Sequence, residues 1–571
     1  MERSNALYLV VLQSGTVSPL AKESDEETPG DGASESEPED EEAALGDEPE
    51  EPPARVALDL EGLEQRIVAL PLDPAVYAGL APGKRGQLYY LKAPGSASLF
   101  GTTQADLYRF DLDEREETML LEGVDRFALT PDGAKLLAKK GDAWLIADAS
   151  KPVDASEGHL DLDAVRVRVD PRAEWRQIFD EAWRINRDYF YDPGMHGADW
   201  PAMRTKYEQL LPHLATRRDL NRVLQWMSSE LAVGHHRVAG GDLGEEPDEV
   251  PGGLLGADYE VADGRYRFKR VYGGLNWNPG LRSPLTEPGV EVRAGELLLA
   301  VDGVDLRPPE NLYARFENTA GRIVRLTVGP RADGEGSRTV DVVPVEDEAD
   351  LRNRAWVEGN IAKVAEATGG RVAYVHVPNT AGLGHTYFKR YFYPQAQKEA
   401  IIVDERYNGG GLVADYYIDI LRRPFVSFWA MRYGADLKTP LASIQGPKVM
   451  LIDETAGSGG DLLPWMFRKL ELGTLVGRPT WGGLVGILGF PVLMDGGYIT
   501  APNLAIWTPE EGWVVENVGV APDIEVEQHP AAVEAGHDPQ LERAIEVILE
   551  ELPAEPPPSP SRPPYPVRAR R

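Results

Sequence analysis

The pattern of hydrophobic and polar residues changes three times along the chain. Over residues 1–160, apolar and polar residues alternate in short runs such as "ALYLVVL", "GQLYYLKA" and "DLYRFDL", which is typical of antiparallel strands. From 170 to 250 the apolar spacing becomes helical, and over 251–346 it returns to strands. Over 350–552, short apolar runs alternate with amphipathic segments, as in parallel sheets with crossover helices. The chain is therefore predicted to be multidomain, with β and α/β parts.

The N-terminal strands are predicted to form part of a β-propeller. The run "LTPDGAKLLAKKGDAWLIA" resembles the two inner strands of a propeller blade joined by a Pro-Asp-Gly turn. Propellers close with about four to eight blades. Residues 1–160 supply about three, so we expect a partial propeller and expect this chain to be the C-terminal part of a longer protein. Residues 21–54 interrupt it with fifteen acidic side chains, one lysine and almost no core residue, and are predicted to be a disordered insertion.

Two amphipathic helices are predicted within 170–250. The second has Thr216 and Asp219 at a spacing close to a capping box. The apolar stripes are Trp175, Ile178, Phe179, Ala182 and Trp183 in the first helix, and Leu220, Val223, Leu224, Met227 and Leu231 in the second. A histidine pair, His235 and His236, follows the second helix, and taken alone it is either structural or chemically active.

The strand-rich segment 251–346 contains "EVRAGELLLAVDGVDL", an apolar run that ends in an Asp-Gly hairpin turn. This piece resembles the signature of PDZ domains, and the helix-like "PENLYARFENT" follows it. PDZ domains bind extended peptides as an added strand at a sheet edge. A small β-domain without a ligand is the alternative.

Composition limits the possible functions. The chain of 571 residues has a net charge of −34, and its basic cluster is confined to 568–571, so no nucleic-acid partner is expected. Without cysteine, disulfides, thiolate metal sites and cysteine nucleophiles are impossible. The sequence has neither a run of about 18 apolar residues nor a signal-peptide pattern, so we expect a soluble, cytoplasmic protein without a membrane partner.

Two glycine-rich turns follow strands of the α/β segment, where such sheets bind their ligands. The first, Asn408–Gly411, has three glycines whose N–H groups can cradle an oxyanion, and a purely conformational role is the alternative. It lacks a Walker pattern, so no nucleotide site is expected. The second, "AGSGGD", presents Ser458 in the form of a nucleophile elbow, with Ala456 where hydrolases have glycine. Capping of the next helix is the alternative for Ser458.

From about 175 to 552 the motifs resemble, in order, those of the catalytic half of the tricorn proteases, which are relatives of the tail-specific serine peptidases. The matching pieces are "SELAVGHH", a PDZ-like insert, "IIVDERYNGGG", "DETAGSGGD", "TWGGLVGI" and "VENVGVAPDIEVE". The resemblance implies a helical first catalytic domain at 170–250, a PDZ-like domain at 251–346 and a ClpP/crotonase-like α/β catalytic domain at 350–552. A disordered Pro/Arg tail is expected at 553–571.

By this resemblance Ser458 is the nucleophile, His235 the general base and Glu516 the acid that supports the histidine. The oxyanion and substrate-binding groups that it implies are Gly409, Gly410, Gly411 and Gly459. No metal or cofactor is implied. The set is chemically coherent, because a serine near its free pKa needs an imidazole to take its proton and a third group to orient that imidazole.

Two positions depart from the family pattern. The family has a serine directly before the histidine that helps to link it to the glutamate, whereas this chain has Gly234. The link is therefore expected to run through water or another side chain, or His236 takes a share. Trp429 stands where the family has an acid that favours basic P1 residues, so that preference is not carried over.

The sequence thus predicts a serine peptidase that degrades short or unfolded peptides through an acyl-enzyme intermediate. The resemblance also implies a homo-hexamer, with aminopeptidases acting downstream. One alternative is a PDZ/propeller scaffold that binds peptides and has lost its chemistry through Gly234. Another is an α/β-hydrolase acting on small esters, but its histidine would follow the serine in the chain.

Overall fold

The computed structural model describes residues 5–21, 56–93, 105–154, 157–162, 164–244, 247–555 and 560–569. The chain divides into two compact units, Met1–Arg168 and Val169–Arg571. Apart from its first residue, the predicted acidic insertion at 21–54 lies outside the described residues. Among the described helices, none is both long enough and apolar enough to cross a bilayer.

The N-terminal unit consists of antiparallel strands. They are β1 (Tyr8–Val10), β2 (Ile67–Ala69), β3 (Val76–Pro82), β4 (Gln87–Ala93), β5 (Ala105–Asp111), β6 (Glu116–Val124), β7 (Arg126–Leu129), β8 (Lys135–Lys140) and β9 (Ala143–Asp148). β3 to β6 form a four-stranded meander, β7 to β9 a three-stranded one, and β1 pairs with β2. The predicted partial propeller is not confirmed, since the described strands form no closed arrangement. Alternation specifies the faces of each hairpin but not the arrangement of several sheets.

Helices begin the C-terminal unit. They are α1 (Pro171–Tyr189), α2 (Trp200–Glu208) and α3 (Arg217–Ser229), followed by the short strand β10 (Val238–Ala239). The predicted stripes are confirmed, because their apolar residues form one core in which Trp175 and Trp183 lie at the rim. The capping box is also confirmed: the hydroxyl of Thr216 accepts from the N–H of Asp219, whose carboxylate accepts from the N–H of Thr216.

A six-stranded antiparallel sheet follows. Its strands are β11 (Ala257–Ala262), β12 (Arg265–Val271), β13 (Leu297–Val301), β14 (Val304–Asp305), β15 (Val324–Gly329) and β16 (Arg338–Val342). The predicted hairpin is confirmed, with β13 turning into β14 through Asp302 and Gly303, both of which have positive φ. The helix-like segment is a short 3₁₀ helix, Leu312–Phe316, whose two end residues are buried in the core of this sheet.

A parallel sheet flanked by helices completes the unit. The helices are α4 (Ala349–Ala367), α5 (Gly382–Phe392), α6 (Ala414–Leu421), α7 (Gly459–Lys469), α8 (Pro530–Glu534) and α9 (Pro539–Glu551). The parallel strands, in sheet order, are β17 (Val372–His376), β18 (Ala400–Asp404), β21 (Lys448–Ile452), β22 (Thr474–Gly477) and β26 (Ile524–Glu525). The remaining strands are β19 (Ser427–Trp429), β20 (Leu437–Thr439), β23 (Tyr498–Ile499), β24 (Trp507–Thr508) and β25 (Gly512–Trp513). Apolar clusters cover both faces of the parallel sheet, as the continuous apolar runs predict.

Arg406 fastens the last helix to the loop after β18. Its buried guanidinium lies 2.7 Å from the carboxylate of Asp404 and 2.8 Å from that of Asp538. Asp538 also caps α9 through the N–H of Leu541. Removing one partner of such a buried pair leaves an uncompensated charge, which costs about 3–5 kcal/mol. This network therefore stabilises the strand end from which the triple-glycine loop departs.

Glu405, beside this network, has no comparable partner. Its side chain is fully buried, and within the described structure neither carboxylate oxygen has a hydrogen-bond partner. Burial, together with the negative charges of Asp453, Asp461 and Asp404, raises the pKa of Glu405 well above its usual value. The folded chain therefore favours the neutral acid at this position.

We expect Glu405→Gln to raise the melting temperature relative to wild type, and to do so increasingly as the pH rises above about 5. A carboxyl with a raised pKa stabilises the fold below its unfolded-state pKa. This stabilisation is lost as the pH rises towards the folded-state pKa, by up to about 1.4 kcal/mol per pH unit. Glutamine does not ionise and avoids the loss. Thermal unfolding at several pH values measures the difference, with Glu454→Gln at an exposed position as the control. A difference that is constant with pH would contradict the prediction.

Candidate active site

The turn after β21 presents Ser458. Its backbone has φ 59° and ψ −115°, a conformation that side chains disfavour. Such strain costs about 1–3 kcal/mol and is concentrated at functional sites. Ser458 directly precedes α7 and forms a capping box with Asp461, but the N–H of Asp461 also donates to the carbonyl of Ser458 at 2.9 Å, so the hydroxyl shares that donor. The capping role that the sequence leaves open is therefore taken only in part, and the hydroxyl can still donate its proton to a base.

The carboxylate of Asp461 holds this turn from the inside. Its Oδ2 accepts from the N–H of Ser458 at 2.8 Å and from that of Gly483 at 3.0 Å. Its Oδ1 accepts from the N–H of Gly482 at 2.8 Å and from the hydroxyl of Thr480. Burial raises the pKa of Asp461, and these hydrogen bonds oppose that rise. The turn that carries Ser458, called the nucleophile turn after the role that the sequence predicts for it, and the "TWGG" loop are thereby tied to one side chain.

The triple-glycine loop stacks on the nucleophile turn. A Cβ at Gly410 would lie 2.7 Å from the Cβ of Ser458, and a Cβ at Gly459 would lie 2.8 Å from the nitrogen of Gly411. Across the described residues, the N–H groups of Gly411 and Gly459 donate to no acceptor. Two unpaired donors beside the Ser458 hydroxyl make these glycines candidates for an oxyanion hole.

The other two glycines shape the loop. The N–H of Gly409 donates to the carbonyl of Pro378 at 3.0 Å, and that of Gly410 donates to Oδ1 of Asn408 at 2.9 Å. Gly409 is exposed, and a Cβ built on it would meet no atom within 4 Å. Neither N–H is therefore a free donor, although Gly409 faces open space at the side of the site.

The loop after α3 carries His235 to this place. Two strands join it to the α/β part, since β10 pairs with β23. The hydroxyl of Thr500 donates to the carbonyl of His235 at 2.7 Å and accepts from the N–H of Arg237 at 2.6 Å. These bonds connect residues 265 and 263 positions apart, so the helical part supplies its histidine to a site built on the parallel sheet.

The imidazole of His235 is partly buried. Its Nδ1 has no hydrogen-bond partner among the described residues. Burial, assisted by the charge of Arg237, lowers the pKa of His235 to about 4. The ring is therefore neutral near pH 7, which is the state that a general base requires. In the described structure no hydrogen bond joins this ring to the Ser458 hydroxyl, a bond that often tightens only when substrate binds.

His236 turns towards the helical core instead. Its Nε2 lies 2.9 Å from Oδ1 of the buried Asn186, and its ring stacks on Phe190 with centroids 6.2 Å apart. Burial lowers the pKa of His236 to about 4. The geometry gives His236 a packing role and leaves His235 as the candidate base.

Glu516 reaches the histidine loop through its backbone. Oε1 accepts from the N–H of Gly234 at 2.9 Å, and Oε2 accepts from the N–H of Val485 at 2.6 Å. Both chain neighbours of Glu516 have positive φ, so its turn is strained. Glu516 thus binds the main chain of Gly234, the residue before His235, and the expected link to the imidazole through water or another side chain stays a prediction.

Three residues of the site were not predicted from the sequence: Asp461, Trp481 and Thr500. Asp461 stands three residues after Ser458, where an acid can accept from the N–H before a helix, and this spacing was the available signal. Trp481 lies within "TWGGLVGI", and its indole adjoins both Gly457 and Gly234. No local pattern marks Thr500, whose partners lie in a distant segment.

Three family models match the chain. They are the tricorn protease C1 domain over residues 171–229, the tricorn protease PDZ domain over 253–347 and peptidase family S41 over 371–526. The chain therefore carries the C1 and PDZ domains of tricorn protease together with a peptidase domain of family S41. This confirms the resemblance drawn from the motifs. Because the matched models are those of peptidases, they agree with the prediction of a serine-type peptidase and do not support the inactive scaffold.

Known members of the tricorn family align with most of this chain. Tricorn protease homolog 1 of Streptomyces coelicolor is 37% identical over 520 residues, which cover 88% of this chain and 48% of that protein. The tricorn protease homolog of Saccharolobus solfataricus is 33% identical over 504 residues, covering 86% and 46%. The crystal structure of the tricorn protease aligns with a TM-score of 0.78 and 28% identity, over 87% of this chain and 49% of that one. The chain therefore spans about half the length of the curated relatives it matches.

We expect Glu516→Gln to lower kcat/KM by roughly tenfold to a hundredfold. An amide offers one acceptor where the carboxylate accepts from two N–H groups, and a charge-assisted hydrogen bond contributes about 1.5–3 kcal/mol. Peptide hydrolysis by purified protein measures the change, and Glu510→Gln in an exposed turn is the control. A loss as large as that of Ser458→Ala would mean that the carboxylate acts on the imidazole directly.

Proposed function

We propose that this chain is a serine peptidase that cleaves short or unfolded peptides through an acyl-enzyme intermediate. One observation carries the proposal: the hydroxyl of Ser458 stands in a strained turn beside the unpaired N–H groups of Gly411 and Gly459. A serine that only caps a helix needs neither the strain nor the two donors. Ser458 is proposed as the nucleophile, His235 as the base and Glu516 as a positioning residue.

In the proposed reaction, the Ser458 oxygen attacks the carbonyl carbon of the scissile peptide while His235 takes the hydroxyl proton. The N–H groups of Gly411 and Gly459 would stabilise the oxyanion, an effect of about 10²–10³ in rate for one donor. The C–N bond then breaks, and the imidazolium gives its proton to the leaving amine. Water attacks the acyl-enzyme with the same base, which releases the carboxylate product and restores Ser458.

A neutral imidazole supports this assignment. Because burial lowers the pKa of His235 to about 4, the base is ready to accept a proton near pH 7. A low pKa also limits how strongly the ring draws the proton, so orientation towards the hydroxyl matters more. Glu516 contributes by fixing the main chain at Gly234, next to the base.

The proposal extends to what the resemblance implies. The PDZ-like domain at 251–346 would hold peptides for a ClpP/crotonase-like α/β domain at 350–552, with Gly409 and Gly410 lining the substrate channel. Trp429 lies exposed in β19, and no preference for basic P1 residues is proposed. Assembly into a homo-hexamer, transfer of products to aminopeptidases and a cytoplasmic location belong to the proposal on the same ground.

We expect Ser458→Ala and His235→Ala each to lower kcat/KM by about 10³-fold or more, while the double variant is little worse, because the two groups act as one unit. His236→Ala should keep most of the catalytic rate and lose thermal stability, since it removes the buried contact to Asn186. Cleavage of a mixed-sequence peptide library measures all four variants beside wild type.

A fluorophosphonate probe provides the second measurement. It should label wild type at Ser458 and leave Ser458→Ala unlabelled, since only an activated serine reacts. An active His235→Ala together with an inactive His236→Ala would reverse the assignment of the base. An unlabelled wild-type protein that cleaves no peptide would refute the proposed function.

A further inference from the structure

We infer that Trp481 positions the imidazole of His235 for proton transfer, by packing against it instead of by a hydrogen bond. The inference deepens the proposed function and rests on it. In the family pattern a serine hydroxyl before the histidine contributes to this orientation, and this chain has Gly234 in its place. Some other group must hold the ring.

Polar groups do not hold it. Nδ1 of His235 has no hydrogen-bond partner among the described residues, and both oxygens of Glu516 accept from backbone N–H groups. Thr500 binds the carbonyl of His235 and therefore fixes its main chain, not its ring. The ring packs against Trp481 instead, with centroids 5.2 Å apart and planes inclined by 50°.

Three glycines make room for the indole. A Cβ at Gly234 would come within 2.9 Å of Cζ2 and 3.1 Å of Cη2 of Trp481, and a Cβ at Gly457 or Gly483 would overlap the same ring. Gly234 does not have positive φ, so its missing side chain is a matter of space and not of backbone conformation. The indole thus lies against the residue before the base and the residue before the nucleophile.

The main chain of Trp481 is rigidly joined to the nucleophile turn. Its N–H donates to the carbonyl of Ala456 at 2.9 Å, and Asp461 binds both the flanking "TWGG" loop and the N–H of Ser458. His235 arrives from a different segment. Because the indole contacts both segments, it can hold the imidazole in a fixed position relative to the nucleophile turn.

The indole also shields the imidazole from water. Among the described residues, charged or titratable groups near the ring are Arg237, which lies over the indole at 5.6 Å, His236, which is the next residue in the chain, and Glu516, which is bound at Gly234. Removing the indole hydrates the imidazole and removes the contact that Arg237 makes with the indole, while the charge carried by each of these groups stays the same. The pKa of His235 should then rise from about 4 towards the ordinary value for histidine.

The decisive variants are Trp481→Ala and Trp481→Phe. We expect Trp481→Ala to lower kcat by roughly tenfold to a hundredfold with a smaller change in KM, because misplacing a catalytic group costs about that much. In Trp481→Ala, the acidic limb of the plot of kcat/KM against pH should move to higher pH by about one to two pH units. The values for Trp481→Phe should lie between those of wild type and Trp481→Ala. Trp226→Ala, at an exposed position in α3, is the matched control and should change neither quantity.

A second readout separates this inference from the proposed function. With ¹³C-labelled histidine, NMR titration of the nine imidazoles, assigned through His235→Asn, measures the His235 pKa whether or not peptides are cleaved. A fluorophosphonate-labelled wild type together with an unchanged pH limb and an unchanged His235 pKa in Trp481→Ala would overturn the inference and leave the peptidase standing. If Trp481→Ala does not fold, the same pH profile and the same His235 pKa are measured in Gly234→Ala, because the added Cβ displaces the indole. Unchanged values in that variant would likewise overturn the inference.

Gly234→Ser gives an independent test. With the indole in place the added Cβ meets Trp481, so we expect the substitution to lower kcat. In the Trp481→Ala background the hydroxyl has room near Glu516 and His235, and the same substitution should raise kcat relative to Trp481→Ala alone. A Gly234→Ser variant that is faster than wild type would show that the indole does not take the place of the hydroxyl.

Discussion

The buried carboxylate of Asp461 is the constraint on which the candidate site depends. A carboxylate removed from water needs hydrogen-bond donors, because an unpaired buried charge is strongly unfavourable. Asp461 finds four of them, three N–H groups from Ser458, Gly482 and Gly483 and the hydroxyl of Thr480. Since the donors come from two separate segments, satisfying one charge fixes the nucleophile turn and the indole loop in a single geometry. It also offsets the backbone strain at Ser458.

Glycine serves two different physical purposes around this turn. Gly410 and Gly411 have φ of 85° and 140°, and a side chain on either would strike neighbouring atoms, so both backbone freedom and close approach require them. Gly234 and Gly457 have ordinary backbone conformations and are needed for the space that the indole of Trp481 fills. In the sequence, Gly234 stands where the family has a serine hydroxyl. In the structure, the same position leaves space in which the indole of Trp481 packs. Substitutions at these positions should therefore not be grouped together.

Burial sets the charge state of the site. It lowers the pKa of His235 to about 4 and raises that of Glu405, so a strongly acidic chain keeps an uncharged base and an uncharged acid close to its strand ends. The buried charges next to Glu405 are paired with one another, since Arg406 binds both Asp404 and Asp538. This separation leaves the imidazole free to accept a proton while the framework around it stays paired.

Local patterns determined much of this protein. Apolar spacing predicted α1 and α3, the Thr216–Asp219 capping box marked where α3 begins, and the strand–turn–helix pattern presented Ser458. These features depend on residues within a few positions of each other, so periodicity and capping chemistry reveal them. Only the tertiary structure decided the partners of the proposed catalytic groups. Glu516 binds the N–H of Gly234 across 282 positions, and His236 turns to Asn186 across 50. It also left the N-terminal strands as separate sheets, because which segments meet depends on burial and on hydrogen bonds between distant residues, which no local pattern records.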